Sequence, residues 1–469
     1  MTPSLATSDD YAPSVTAVHD EALDADGEPR PLYAELLAWL DGADLDAVAC
    51  RVEEHITEHG VAFRSGDDVE IFHVDPVPRL IARDEWSALE RGISQRVRAL
   101  AAFTADVYGE RAIVRAGVVP ERVIESADHF EPWLMGVELS PEPFGVAGLD
   151  IVRDADGRLM VLEDNLRTPS GLSYAAAARA TLDAALDIPV PAGRLPADAG
   201  ADLLIDVLRA AAPDAAGDPA IAVITDGPQS GAWYEHRDLA RRLGVPLVQR
   251  RDLHVRGDRL YAWADDGRAR ELEVVYLRAD EDRLRDEWGE PTWLAELLLG
   301  PLRAGRLAVV NPLGAGVADD KLAHAYVESM IGFYLGEQPL LASVPTYDLA
   351  DPDQRRDALA RLGELVVKPR SGQGGAGIVV CRHATSEDRE RIAGEIERDP
   401  GSWIAQETIT LSTHPTVCAG ALEPRHVDLR AFAIGAGVVP GGLTRFARDR
   451  DALVVNSSQG GGAKDTWVL

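Results

Sequence analysis

An apolar run ending in a lysine, a glycine-rich loop and a second apolar run make up Val366-Val-Lys-Pro-Arg-Ser-Gly-Gln-Gly-Gly-Ala-Gly-Ile-Val-Val380. The pattern predicts strand, loop and strand: a β-hairpin flap. Glycines let backbone N–H groups approach phosphate oxygens closely, and a nearby lysine adds a point charge. The familiar phosphate loop ends in Gly-Lys-Ser/Thr and opens a helix. Here the lysine comes first and the chain runs on into a strand, so another nucleotide-binding architecture is needed. The phosphate candidates are Lys321, Lys368 and the loop residues Ser371, Gly372, Gln373, Gly374 and Gly375. A lysine within an apolar strand needs a charge partner or an exit to solvent. The competing reading of Lys368 is an edge lysine that blocks strand aggregation.

A chain of 469 residues, 46% of them hydrophobic, has room for two or three domains with large cores. Its 47 basic and 78 acidic residues leave a formal net charge of −31. That balance argues against nucleic acid, which needs a basic face, and against an anionic membrane surface. Cys50, Cys381 and Cys418 are far apart and show neither metal spacing nor a disulfide framework. The N-terminus lacks the basic and apolar regions of a signal peptide, and no apolar run reaches membrane-spanning length. A cytoplasmic location is therefore expected.

Residues 1–30 read as a mobile, acidic tail. Residues 31–120 read as a helical region, with Leu36, Leu37 and Leu40 on one face and Trp86, Leu89, Ile93 and Val97 on another. Arg79, Gln95 and Arg96 read most simply as surface polar groups of this region. Within residues 121–215, the Asp156-Gly157 turn signal sits between two β-type runs. Residues 216–318 alternate strands and helices, as in a small parallel α/β domain. Residues 319–469 hold the flap, further strands and a glycine-rich end. The whole is an α/β (α+β) chain.

Several constellations carry chemistry. Asp150 and Glu163 fall on adjacent strands near the open end of the predicted hairpin, and Asn165 shares a face with Glu163. Three oxygen donors on one face suit Mg²⁺, which takes its remaining ligands from phosphate and water; a solvated strand face is the alternative. Asp164 points to the other face and is not counted. Gln406 and Glu407 end a strand in a manner that suits a hinge reading adenine and ribose. Asp428 and Arg430 share a strand face, and an arginine oriented by a carboxylate is a rigid fork for phosphate. Asn456, Ser457 and Lys464 concentrate donors among glycines, and Trp467 predicts that the chain end is anchored. Glu235, His236 and Arg278 sit where loops of the α/β domain could meet substrate.

The flap lysine, the Gln-Glu hinge, Asp-x-Arg and Glu-x-Asn together resemble the ATP-grasp superfamily. Glu-x-Asn usually comes last; here it precedes the flap by about two hundred residues. That order resembles the circularly permuted ATP-grasp proteins of type 2, as do Pro78-Arg79, Gln95-Arg96, Gly148-Leu-Asp150, Glu235-His236, Asn311-Pro-Leu-Gly-Ala-Gly-Val and the closing Val455-Asn-Ser-Ser-Gln-Gly-Gly-Gly-Ala-Lys-Asp-Thr-Trp-Val. The motif order is also similar to glutathionylspermidine synthetases.

The resemblance implies a permuted ATP-grasp fold with a parallel α/β pre-ATP-grasp domain over 216–318. Residues 121–215 would be the first part of the C-subdomain, with the magnesium site, and 319–469 the flap, hinge and remainder. It implies ATP- and Mg²⁺-dependent joining of a small-molecule or peptide carboxylate to an amine through an acyl-phosphate. By the same resemblance Asp150, Glu163 and Asn165 bind Mg²⁺, Lys321, Lys368 and the flap grip phosphates, Gln406 and Glu407 line adenine, and Arg430 steadies the transferring phosphoryl. Those synthetases have an arginine two residues before the metal aspartate, where this chain has Gly148, so their substrates do not carry over. A small-molecule or peptide kinase and a non-catalytic nucleotide-binding scaffold are the alternatives. Oligomeric state and partners encoded by neighbouring genes stay open.

Overall fold

Gly157 adopts φ +82° at the tip of the Asp156-Gly157 turn, a conformation glycine reaches without steric cost. The flanking runs pair antiparallel as the strands Ala147–Arg153 and Leu159–Asn165. This computed structural model describes residues 11, 18–65, 68–137, 144–188, 190–213, 217–264, 266–279, 283–372, 377–449, 455 and 461–469. Of the candidate residues, Gln373, Gly374, Gly375, Asn456 and Ser457 lie outside the described residues.

The hairpin lies inside a nine-stranded sheet. Across it run Ala342–Ser343, Leu159–Asn165, Ala147–Arg153, Ala421–Ile434, Leu443–Phe446, Gly462–Val468 and Val74–Ile81, while Thr413–Cys418 and Gly437–Val438 pair with the long strand Ala421–Ile434. Val74–Ile81 was not anticipated, because it contains Pro76 and Pro78. It occupies an edge, where a missing N–H breaks no ladder. The chain end is anchored, as Trp467 predicts: Gly462–Val468 runs parallel to that edge strand, and Trp467 is buried.

The two expected strands of the flap pair antiparallel. Leu365–Pro369 pairs with Val379–Val380, Val366 opposite Val380, in an antiparallel four-stranded sheet completed by Trp403–Glu407 and Thr346–Asp348. A small core of Leu349, Val367, Cys381, Ile392, Ile396 and Ala405 lies beneath it. The parallel domain is present as Ala308–Val310, Val274–Arg278, Ile221–Thr225 and Leu247–Val248, side by side in that order. A three-stranded antiparallel sheet, Leu253–Arg256, Arg259–Trp263 and Ala269–Leu272, was not foreseen. Charged residues interrupt its apolar periodicity.

Two expectations need correction. Residues 18–30 are not a free tail: Asp20 bridges to Thr413, and Glu21 is buried against Arg79 and Arg153. Arg79, Gln95 and Arg96 are not surface groups either; all three are buried. Arg96, on the helix Arg83–Tyr108, grips Asp164 with Nε and Nη2 at 2.6 and 2.7 Å. Hydrophobic spacing locates a helix face but does not reveal a charge pair that closes only across another element. Buried, well-bonded pairs of this kind fix orientation more than they add stability.

Buried histidines set a pH dependence. Burial, reinforced by Arg278, pushes the His236 imidazole down to about 2. Burial, with Lys464 nearby, holds His414 well below its usual value. In the unfolded chain both titrate near 6.5. The unfolded state therefore binds more protons below that pH, and stability falls with acidification by about 1.4 kcal/mol per pH unit for each fully shifted histidine. The urea midpoint is expected to fall between about pH 7 and about pH 5, and His236→Gln should flatten that slope.

Candidate active site

A cleft of about 450 Å³ opens between the nine-stranded sheet and the flap sheet. It is lined by Asp150, Glu163, Asn165, Lys321, Lys368, Gly372, Gln406, Glu407, Asp428 and Arg430, so candidates from both ends of the chain share it. Val152, Leu162, Val366, Ile378, Ile404 and Leu411 give it an apolar wall suited to a planar base.

The strand register places the polar wall. Asp150 faces Glu163 on one side and Arg430 on the other. Arg430 donates from Nε and Nη2 to the two Asp150 oxygens at 2.7 and 2.8 Å, and from Nη1 to the Ser170 carbonyl at 3.2 Å. Arg445 lies 2.9 Å from Asp150 and also bonds Asp428. Burial alone would raise the Asp150 carboxyl; Arg430 and Arg445 outweigh it and hold it well below the usual carboxylate range. Burial raises Asp428, with Arg445 opposing and the Asp150 charge adding to the rise. Arg445 gave no motif signal in the sequence, because its role depends on meeting two aspartates from other strands.

The phosphate candidates converge as well. Lys368 is 4% exposed, with Nζ 3.4 Å from Glu163 Oε1. Lys321 donates to the Gly372 carbonyl at 2.7 Å, tying its helix to the flap. Arg370 anchors the flap base to Asp320, Ser126 and the Val123 carbonyl, each at 2.6 Å. At the hinge, Gln406 donates to Thr346 Oγ1 at 3.0 Å and to the Leu162 carbonyl at 3.3 Å. The Glu407 carboxylate accepts from Tyr347 and Arg361, which lower its pKa against the opposing effect of burial.

Five described candidates are not on the cleft wall: Ser371, exposed on the flap, and four others. Lys464 is wholly buried and pairs with Asp75, donating also to the Pro415 carbonyl at 3.0 Å. It is a core ion pair, not a phosphate ligand, since the last strand turns it to the sheet face opposite the donors. Glu235, His236 and Arg278 are buried too. Glu235 accepts from Arg278 Nη2 and the N–H groups of Gly171 and Ser173, all at 2.9 Å, while Arg278 donates to the Pro169 carbonyl at 2.8 Å. His236 lies 2.8 Å from Thr225 Oγ1. These residues brace the 169–173 loop, whose Pro169 and Ser170 face the cleft; they do not touch its space.

The donor set fits Mg²⁺ in part. Glu163 and Asn165 offer oxygens on one face, and the Asn165 amide nitrogen is buried without a hydrogen-bond partner among the described residues. Asp150 is committed to two guanidiniums in this structure. Among the described residues no group of three His, Cys, Asp or Glu side chains forms a cage.

Residues 78–447 match the model of the circularly permuted ATP-grasp type 2 family. This chain belongs to that family. A relative from Frankia alni, named "Putative glutamate–cysteine ligase 2-3", is 44% identical over all of this chain and 56% of its own length. One from Frankia casuarinae, named "Putative glutamate–cysteine ligase 2-2", is 43% identical over 99% and 56%. The chain thus spans little more than half of those two relatives. A Synechocystis protein is 40% identical over 96% of this chain and 97% of its own. The solved structure of a glutathione synthetase-like effector from Globodera pallida superposes with a TM-score of 0.58 at 11% identity, over 91% of this chain and 97% of that one. At that identity the likeness is one of fold.

The departure at position 148 has a structural reason. A Cβ on Gly148 would lie 2.9 Å from Pro169 Cβ and 3.7 Å from Arg430 Cδ. The 169–173 loop fills the place a side chain would need. Lys464→Met should lower stability by about 3–5 kcal/mol, because it strands Asp75 in the core, yet leave the Mg²⁺-ATP dissociation constant unchanged. Urea unfolding and calorimetric titration check the two halves.

Proposed function

We propose that this ATP-grasp protein uses ATP and Mg²⁺ to join a carboxylate to an amine through an acyl-phosphate. One observation carries the reading: Glu163 on the early hairpin and Lys368 on the late flap, 205 positions apart, stand 3.4 Å from each other across one cleft. Nothing in local folding requires that meeting, whereas a shared triphosphate does.

The residues divide the work. The apolar wall takes the base, beside Gln406 and Glu407 at the end of strand Trp403–Glu407. Lys321 and Lys368 neutralise phosphate oxygens. A carboxylate oxygen of the first substrate attacks the γ-phosphorus and ADP departs. The amine then attacks the acyl carbon and inorganic phosphate leaves with the bonding electron pair. Arg430, aimed by Asp150, steadies the transferring phosphoryl. Glu163 and Asn165 would hold Mg²⁺ with Asp150 beside them; the cation supplies charge neutralisation on the phosphates. The flap closes the site to water, which would otherwise hydrolyse the acyl-phosphate. The formal net charge of −31 is compatible with small substrates and offers no track for a polyanion.

The names of the Frankia relatives make L-glutamate and L-cysteine the first pair to test, followed by a metabolite extract with mass-spectrometric detection of condensed products. A ligase yields ADP, phosphate and an amide; a stable phosphoester or ATP binding without turnover would overturn the reading. Lys368→Ala is expected to abolish ADP formation and leave the circular dichroism spectrum unchanged. Wild-type ATP consumption by that variant would remove Lys368 from the mechanism.

A further inference from the structure

His324 closes the short helix Lys321–His324, one turn beyond Lys321. It lines the cleft and is 5% exposed. Its Nδ1 stands 2.8 Å from Asp164 Oδ2. An ionised carboxylate only accepts, so the imidazole proton resides on Nδ1. Arg96 holds Asp164 through two bonds, and its Nη2 lies 3.0 Å from the same imidazole nitrogen, so both donors converge on one carboxylate oxygen. The two-pronged grip of Arg96 fixes Asp164 as a hydrogen-bond acceptor toward the imidazole.

The consequence falls on the other ring nitrogen. With Nδ1 protonated, Nε2 of the neutral ring carries a lone pair. It is buried and has no hydrogen-bond partner among the described residues. Leaving a buried polar atom unpaired is destabilising, and a protein seldom sustains it unless a ligand supplies the partner. Burial chiefly, and then the charges of Arg96 and Lys368, lower the His324 pKa against the pull of Asp164. The ring is neutral near pH 7. The charged groups around it are Asp164 from the hairpin, Arg96 from the long helix, Lys368 from the flap sheet and Lys321 on its own helix.

We propose that His324 is the proton acceptor for the attacking amine, taking the proton at Nε2 while Nδ1–H stays on Asp164. The assignment rests on the ligase reading above. The nitrogen–carbon bond forms as the acyl carbon–oxygen bond breaks, and phosphate departs with that electron pair. The proton lost by nitrogen moves to Nε2, and the imidazolium, stabilised by Asp164, releases it to the departing phosphate or to water. Phosphate anions beside the ring favour its protonated form at the moment the proton arrives. The buried carboxylate acts as the orienting partner of a general base.

The test uses the full-length protein, with the acid and amine found in the product screen, and compares amide formation with hydroxamate formation from hydroxylamine. Hydroxylamine is largely unprotonated at neutral pH and needs little help from a base. His324→Asn retains an N–H toward Asp164 and removes Nε2. It is expected to slow amide formation about 100-fold or more, with hydroxamate formation and the Mg²⁺-ATP dissociation constant at wild-type values. Equal loss of amide and hydroxamate, a matching loss of nucleotide affinity, or an unchanged amide rate would each overturn the assignment. Nitrogen NMR of the histidines in the wild-type protein reads the tautomer without any variant: a proton on Nε2 and a bare Nδ1 in the free protein would also overturn it. Should the wild type form no condensed product, the ligase reading itself fails and takes this role with it, an outcome distinct from a histidine variant that keeps full activity.

Discussion

The pairing of Asp150 with Arg430 is the contact on which the rest of the site depends. It joins residues 280 positions apart, on adjacent strands in direct register. Strand Ala421–Ile434 thereby delivers Arg430 and Asp428 to the hairpin that carries Glu163 and Asn165. The bidentate geometry removes most rotational freedom from the guanidinium. Arg445 then bridges Asp150 and Asp428, so two carboxylates and two arginines balance within a buried patch.

Two sheets meet around that patch. The nine-stranded sheet is bound by long-range pairing and by buried pairs such as Arg96–Asp164 and Lys464–Asp75. The flap sheet has its own small core and reaches the larger body through Arg370–Asp320, Lys321–Gly372 and Lys368–Glu163. A separately cored sheet joined by polar contacts can shift as a unit at modest cost, as closure over a nucleotide requires. Glu235 and Arg278 link the parallel domain to the 169–173 loop. That domain therefore bears on the cleft through a loop it braces.

Much of the site was legible because its signals are local. Asp156-Gly157 fixes the hairpin turn, and alternation along the strand then puts Glu163 and Asn165 on one face. The glycine loop between apolar runs gives the flap. The residues that were misplaced or missed share a different property. Lys464, Glu235 and His236 occur in family-like motifs and Arg278 ends an apolar strand, yet their partners are buried and distant. His324 and Arg445 have no motif at all; their roles appear only when Asp164, Asp150 and Asp428 arrive from other strands. The strand Val74–Ile81 was hidden by prolines that only an edge position tolerates.

The amino-acid order by itself determined the hairpin, the flap and the chemistry of the candidate ligands, because each rests on residues within a few positions of one another, and the order of those short motifs along the chain determined the family. Only the tertiary structure decided which charges face the cleft and which are sealed into the core. A lysine beside a glycine loop and a lysine in a closing strand look alike along the chain. Burial and partner geometry, set by pairings hundreds of residues apart, make Lys368 a cleft residue and Lys464 a core ion pair.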